Sequence, residues 1–220
     1  MNVIIPPLRL DEGTGNTIAL FGASKCGKTV LWTSIFRSKF YNKEYISTLF
    51  AGNPQIDDYD GMDKYLIKLE GFELPQRGYL KAQHYVQRRT KNKYNFLNIF
   101  DDQVAVRYTP ELTQLLLSWR NSKMSTIICL QGVVLMNKQG RGSLNNAIFM
   151  HCNSDELIEQ TLVIFLRSLL QSIGVQKNNQ AMWYRDQTRD YNYLYLHIPS
   201  STLWSSQSRS YLIKDGIPNK

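Results

Sequence analysis

Apolar residues along this chain fall into short unbroken runs, separated by polar stretches in which hydrophobic residues recur at helical spacing. That alternation predicts strands buried on both faces between covering helices. Thr17-Ile18-Ala19-Leu20-Phe21 is the first such run, and Val30-Leu31-Trp32 with Ile35-Phe36 then continues at helical spacing. Tyr45–Phe50 reads as a strand ended by Gly52-Asn53-Pro54, and a helical or mixed stretch is expected over about 60–70. Phe96-Leu97-Asn98-Ile99-Phe100 is a further strand that stops at Asp101-Asp102. Thr109-Pro110-Glu111 opens a helix running to about Arg120, with Thr109 as N-cap and Pro110 at the first helical position. Ser125–Leu130 and Ala147–Met150 read as buried strands, 154–173 as a long amphipathic helix, and Tyr193–Ile198 as a late strand. Tyr191, Tyr193 and Tyr195 repeat at period two, as one face of a strand does. The polar residues 200–220, with isolated Trp204, Tyr211, Leu212 and Ile213, read as a C-terminal arm or a frayed tail. The whole pattern is that of one α/β domain over 1–220, a mainly parallel sheet with helices on both faces.

Composition narrows the setting. A chain of 220 residues that is 43% hydrophobic can bury one full core. No apolar run approaches the roughly 20 residues that span a bilayer, and residues 1–10 lack the order of a signal peptide, so a soluble intracellular protein without a membrane span is expected. Cys26, Cys129 and Cys152 are odd in number and scattered, which suits free thiols. His84, His151 and His197 lack the spacing of zinc ligands. The balance of 26 Lys+Arg against 18 Asp+Glu, a net charge of +8, points to a polyanionic partner, with nucleic acid ahead of a membrane surface. The excess concentrates between Arg77 and Lys93, where there is no carboxylate, and Lys81, His84, Arg88 and Lys91 fall on one helical stripe.

The chemistry is announced by Gly22-Ala23-Ser24-Lys25-Cys26-Gly27-Lys28-Thr29, which fits G-x-x-x-x-G-K-[ST] between a strand and a helix. Glycines let successive N–H groups converge on a phosphate, Lys28 can reach the β- and γ-phosphates, and the Thr29 hydroxyl suits Mg²⁺. Lys25 could add a positive charge in cis. Ligands of parallel sheets collect at the carboxyl ends of strands, where Asp101 and Asp102 fall. Asp101, the first acid after the strand, is assigned to the metal, and Asp102 to activating the attacking water. Gln131, at the end of the next apolar run, is placed to sense the γ-phosphate.

Three segments in order, Gly22–Thr29, Phe96–Asp102 and Trp119–Gln131, resemble the genome-packaging ATPases of poxviruses and other large double-stranded DNA viruses and virophages, a branch of the FtsK-HerA superfamily. Arg141-Gly142-Ser143-Leu144-Asn145 is similar to that family's Arg-x-x-Asn element, with one extra residue. The resemblance implies a P-loop NTPase of the ASCE/RecA-like type, with ATP and Mg²⁺ as cofactors. It further implies a translocase of double-stranded DNA, indifferent to base sequence, working as a homo-oligomeric ring of five or six subunits docked on a capsid protein at a packaging vertex. Such a motor would act in a host cytoplasmic viral factory or with the virion. Ring ATPases need a cation from the neighbouring subunit; Arg120 is the first candidate and Arg141 the second. The loop Asn137–Gly142 is read as polar, flexible and basic, suited to DNA backbone contact. The residues also accommodate a small-molecule or nucleoside kinase, a nucleotide-regulated assembly protein with little turnover, and a plasmid or bacterial DNA-transfer ATPase.

Overall fold

A computed structural model describes residues 3–11, 13–41, 44–52, 59, 61–62, 64, 66–71, 74–101 and 110–219. Asp102 and Thr109 lie outside the described residues. The first strand, β1 (Thr17–Phe21), leads through the glycine loop into helix α1 (Lys28–Ile35), which tightens into a π-helical turn over Phe36–Phe40. Next come β2 (Tyr45–Ala51), β3 (Leu66–Glu70), α2 (Leu74–Thr90), β4 (Asn95–Asp101), α3 (Pro110–Ser122) and β5 (Met124–Leu130). A short helix α4 (Lys138–Gly142) precedes β6 (Asn146–Phe149). The long helix expected over 154–173 is α5 (Asp155–Thr161) and α6 (Arg167–Ser172) joined through a π-helical turn at Leu162–Leu166. Ser154 caps it by accepting from the Leu157 N–H at 3.3 Å, with Asp155 and Glu156 at the positive dipole end. Helix α7 (Gln180–Thr188) is followed by β7 (Leu194–His197), β8 (Thr202–Ser205), β9 (Ser210–Lys214) and β10 (Ile217–Pro218).

All ten strands form one sheet in the order β10-β9-β8-β7-β6-β1-β5-β4-β2-β3. From β6 to β3 every pairing is parallel, whereas β7 to β10 extend the sheet antiparallel beyond β6. Strands β6, β1 and β5 are buried throughout and β4 nearly so, their residues alternating between two cores. Ala19, Phe21, Phe50, Phe100, Ile128 and Phe149 face one core with Leu112, Leu115 and Leu116 of α3, while Ile18, Leu20, Leu49, Ile99 and Ile127 face another with Leu31, Trp32 and Ile35 of α1. Each such side chain contributes roughly 1.5–3 kcal/mol by leaving water. Phe50 and Phe100, register partners in β2 and β4, stack with centroids 4.8 Å apart.

Three expectations change. Residues 66–70 are an edge strand, β3, rather than a helix: Ile67 is 46% exposed and only Leu66 is buried, a half-solvated pattern that a single apolar face of a helix also produces. The stretch 200–220 is no detached arm. Leu203, Trp204 and Ile213 are buried, and β8 and β9 pair with the sheet. Tyr193 and Tyr195 do share a buried face, but Tyr191 stands outside the strand with a φ of 63° and 59% exposure. The N-terminal segment also belongs to the core, for Val3, Ile4, Ile5, Leu8 and Leu10 pack on the α1 side. It is fastened by the Arg9 N–H donating to the Tyr195 hydroxyl at 3.0 Å and by the Arg9–Asp215 ion pair, which holds the Asp215 carboxyl below its usual range.

Candidate functional site

The loop 22–27 leaves β1 at its carboxyl end and is anchored on both sides by neighbouring strands. The Gly22 N–H donates to the Leu130 carbonyl at 3.1 Å, and the Ala23 N–H to the His151 carbonyl at 2.9 Å. Gly22 has no room for a side chain: an added Cβ would lie 2.6 Å from Cys26 Sγ and 2.9 Å from Met150 Cβ. Lys25 and Gly27 take left-handed backbone angles, φ 62° and 94°, so the chain coils tightly before α1 starts. Gly27 is the N-cap of α1 and no side chain caps that helix end, leaving its first-turn amides and positive dipole end to an anion. Ser24 and Lys25 are exposed, whereas Cys26 is buried.

Thr29 and Asp101 meet. The Thr29 hydroxyl donates to Asp101 Oδ2 at 2.9 Å, joining the first turn of α1 to the carboxyl end of β4. The same oxygen accepts from the Trp32 indole N–H at 2.6 Å and from the Tyr59 hydroxyl at 3.0 Å. Asp101 is only 1% exposed, so these donors replace the water a buried carboxylate loses. Trp32 and Tyr59 pack at 5.6 Å between centroids and are themselves fully buried, fixing the carboxylate from two directions. The sequence reading missed both. Trp32 had a signal, since it follows Thr29 by three residues on the same helical face; Tyr59 had none.

A hard divalent cation takes oxygen donors, and a hydroxyl and a carboxylate within hydrogen-bond distance at a phosphate loop are a set that suits Mg²⁺. Among the described residues no group of three or more His, Cys, Asp or Glu side chains is placed to hold a metal, so the phosphates themselves and water would complete such a shell. Lys28 is tethered to the loop it belongs to, donating to the carbonyls of Gly22 at 2.8 Å and Ala23 at 2.6 Å. Its ammonium therefore lies over the loop, within a side-chain rotation of any phosphate seated there.

Strand β5 sits between β1 and β4, and Gln131 is the first residue past its carboxyl end, exposed, between the loop and Asp101. The topology thus brings Gly22–Thr29, Asp101 and Gln131 to one edge. It does not bring Arg120 there. Arg120 lies in the last turns of α3, which leads into the amino end of β5, and the seven residues of that strand separate the two edges by roughly 23 Å at about 3.3 Å per residue. Arg141 binds its own neighbourhood, donating to the carbonyls of Met136 at 2.7 Å and Val133 at 3.3 Å. Asn145, fully buried, accepts from the Thr17 N–H at 2.7 Å and thereby clamps the amino ends of β1 and β6, far from the phosphate loop. The stretch Asn137–Gly142 is an ordered turn of helix capped by Asn137, which accepts from the Gly140 N–H at 2.7 Å, because Asn at an N-cap satisfies an amide the helix leaves open.

The three cysteines are free and buried. Burial pushes the Cys26 thiol up, against the pull of nearby Lys28, and raises Cys129 further still, with Asp101 adding to the effect. Neither supplies a thiolate nucleophile. Beside Gly27 opens a cavity of ≈ 340 Å³ walled by Val3, Ile4, Val30, Leu31, Met150 and Tyr191.

No protein-family model matches this chain, and no curated protein matches its sequence. Solved structures do match its fold. The genome packaging NTPase B204 from Sulfolobus turreted icosahedral virus 2, in complex with ATP-gammaS, superposes with a TM-score of 0.61 at 14% identity over 87% of this chain and 96% of its own. The pCW3 conjugation coupling protein TcpA, with ATPgS, gives 0.59 at 12% identity over 86% of this chain and 59% of its own. ATPases 2 and 3 of EssC from Geobacillus thermodenitrificans give 0.52 at 12% identity over 70% and 34%. No helix among the described residues is long and apolar enough to cross a membrane. The chain has the α/β fold of P-loop ATPases, and the solved structures it is similar to include a genome packaging NTPase and a conjugation coupling protein.

Proposed function

We propose that this protein is an ATP-hydrolysing motor that drives double-stranded DNA into a preformed capsid as a homo-oligomeric ring of five or six subunits. The observation that carries the reading is the 2.9 Å contact between Thr29 and Asp101, which makes the phosphate loop and the acidic strand end one site, with Gln131 between them. Fold neighbours described as a genome packaging NTPase and a conjugation coupling protein support DNA as the cargo. A capsid protein at a packaging vertex, in a viral factory or the virion, is the corresponding partner.

Lys28 and the loop amides bind the β- and γ-phosphates of ATP, and Thr29 and Asp101 would hold Mg²⁺, which supplies electrostatic stabilisation of the charge building on those phosphates. Asp102, the acid next after β4, accepts the proton of the attacking water; Gln131 orients that water through its amide. The roughly 23 Å between the sheet's edges keeps Arg120 from its own phosphates, so in this reading it serves the neighbouring subunit. Arg141, held by the carbonyls of Met136 and Val133, fixes the segment after β5 instead.

Hydrolysis of ATP measured across added duplex DNA, with particle size recorded in the same samples, tests the proposal. Turnover stimulated by DNA in a ring-sized particle is the expected result. Hydrolysis indifferent to DNA, with phosphate passed to an acceptor, would identify a kinase, and nucleotide-driven assembly without turnover an assembly protein.

The turns at the amino edge of the sheet offer a surface for DNA. Arg88 and Arg89 at the end of α2 and Lys91 and Lys93 in the following turn are all exposed, and the Asn92 amide donates to the Asn121 carbonyl at 2.7 Å, drawing Lys123 alongside. Lys91, Asn92 and Lys123 have positive φ, and Arg89 lies over the Tyr85 ring at 5.4 Å. Lysines just past a helix end also favour the helix dipole, so each alone has a structural use; together they form a cationic ridge suited to phosphates. Replacing Arg88, Lys91 and Lys93 together by Ala is expected to weaken binding equally to duplexes of unrelated sequence. The slope of log affinity against log salt should fall by up to about 3, roughly one per lost phosphate contact, with DNA-independent hydrolysis retained. An unchanged slope would move the DNA face elsewhere.

A further inference from the structure

The cavity beside Gly27 has a wall the catalytic reading does not use. Tyr191 is 59% exposed, although an aromatic of its size ordinarily buries its ring. It and Asp190 are consecutive non-glycine residues in the left-handed region, φ 63° and 55°, an arrangement that persists only where its surroundings enforce it. Here they do: the Asn192 N–H and side-chain amide both donate to the Arg189 carbonyl, at 3.0 and 3.1 Å, closing the turn. The outcome is a ring laid against the phosphate loop, since a Cβ added to Gly27 would lie 3.2 Å from Tyr191 Cδ1. The cavity is of ≈ 340 Å³, toward the small end of the roughly 300–1,000 Å³ of small-molecule sites.

Its polar groups are occupied with one another. Ser206 Oγ donates to Asn192 Oδ1 at 3.2 Å and accepts from the Tyr193 N–H at 2.7 Å, and the Ser206 N–H donates to the Tyr193 carbonyl at 3.0 Å. The exception is the Asp190 carboxylate, which is 87% exposed to solvent with the Arg189 guanidinium 4.0 Å away. What remains toward the cavity is aliphatic and aromatic surface from Val3, Ile4, Val30, Leu31, Met150 and Tyr191. Such walls grip a flat ring by its faces and offer little to the donors and acceptors on its rim.

We infer that this cavity takes the base and ribose of the triphosphate, with Tyr191 as the stacking platform, and that it does not discriminate among bases. This rests on the reading of Gly22–Thr29 as a phosphate site and extends it: the substrate class is nucleoside triphosphates in general, with purines ahead of pyrimidines only through their larger faces.

Competition of ATP, GTP, CTP, UTP and inorganic tripolyphosphate against a fluorescent ATP analogue tests it on the wild-type protein and on Tyr191→Ala, Tyr191→Phe and Lys28→Ala. The four nucleotides are expected within about tenfold of one another. Tyr191→Ala should weaken each nucleotide roughly tenfold, as loss of one base–aromatic stack does, without altering tripolyphosphate binding or the melting temperature, and Tyr191→Phe should bind as wild type. A preference for ATP over GTP beyond a hundredfold, or weakened binding in Tyr191→Phe, would show that base or ribose edges are read and overturn the inference. Unchanged nucleotide affinity in Tyr191→Ala would place the base elsewhere while leaving the phosphate site intact. If neither nucleotide nor tripolyphosphate bound, or Lys28→Ala bound both as well as wild type, the phosphate-site reading itself would fail and this inference with it.

Discussion

Lys28→Ala should lower ATP turnover by at least about 10²–10³-fold, the cost of removing one preorganised charge from a phosphoryl-transfer site, while the protein melts at an unchanged temperature. The two halves of that expectation come from the same geometry. Lys28 reaches atoms of its own loop, the carbonyls of Gly22 and Ala23 and Cys26 Sγ at 3.9 Å, and ties no distant element down, so folding loses little when the ammonium goes. Catalysis loses the ammonium tethered over the loop by those two carbonyls. Lys28→Arg should not rescue, because the bulkier planar guanidinium cannot replace a compact ammonium in a coil this tight. Single-turnover hydrolysis with thermal unfolding on the same samples checks both halves. Substantial turnover in Lys28→Ala would remove Gly22–Thr29 from the chemistry.

Asp101 should behave differently, because it is both a site residue and a structural hub. Asp101→Asn keeps the shape, and its one carbonyl oxygen can still accept from Thr29, Trp32 and Tyr59 as Oδ2 does, but it removes the charge that would hold a divalent cation. Turnover is expected to fall by more than about 10²-fold, as when a single transition-state interaction is removed. Asp101→Ala removes the acceptor that Thr29, Trp32 and Tyr59 share, and a buried donor that loses its partner costs about 1–3 kcal/mol, so a loss of roughly 2–5 kcal/mol in stability should accompany the loss of activity. Trp32→Phe separates the roles: it removes one donor and leaves the carboxylate and Thr29 in place, so stability should drop by about 1–2 kcal/mol with turnover affected less than in Asp101→Asn. Denaturant unfolding beside steady-state hydrolysis for the three variants distinguishes them. An Asp101→Ala protein as stable as the wild type would show that the buried hydrogen bonds contribute nothing net.

How much of this was legible in the sequence depended on how far each signal was local. Strands β1, β2, β4, β5 and β6 were visible because a strand buried on both faces has no polar alternation to confuse it, and the loop Gly22–Thr29 because its backbone coil needs glycine at fixed places. Strand β3 was misread since Ile67 and Glu70 are exposed at a sheet edge, and a five-residue segment fits a helix and a strand equally well. Strand β8 was hidden by a threonine and a serine at buried places where apolar side chains would have announced burial: the Ser205 hydroxyl donates to Gln187 Oε1 at 2.7 Å and that of Thr202 to Asp215 Oδ1 at 3.4 Å. The pairing of Thr29 with Asp101 was expected; that Trp32 and Tyr59 complete it was not, because burial of a carboxylate among aromatic donors has no sequence period. Tyr191 failed for another reason. Its spacing from Tyr193 is that of a strand, and only the backbone angles of Asp190 and Tyr191 reveal the turn that takes it off the strand face.

Strand β5 is held along its length by hydrogen bonds to β1 on one side and β4 on the other, and all of its residues are buried. An extended backbone so clamped resists stretching and buckling, so it acts as a stiff rod with Gln131 at one tip and the turn around Lys123 at the other. In the proposed motor, a displacement at one tip would reach the other as movement of the whole sheet, and the stroke would be set by how the subunits hinge against each other and not by flexing within one.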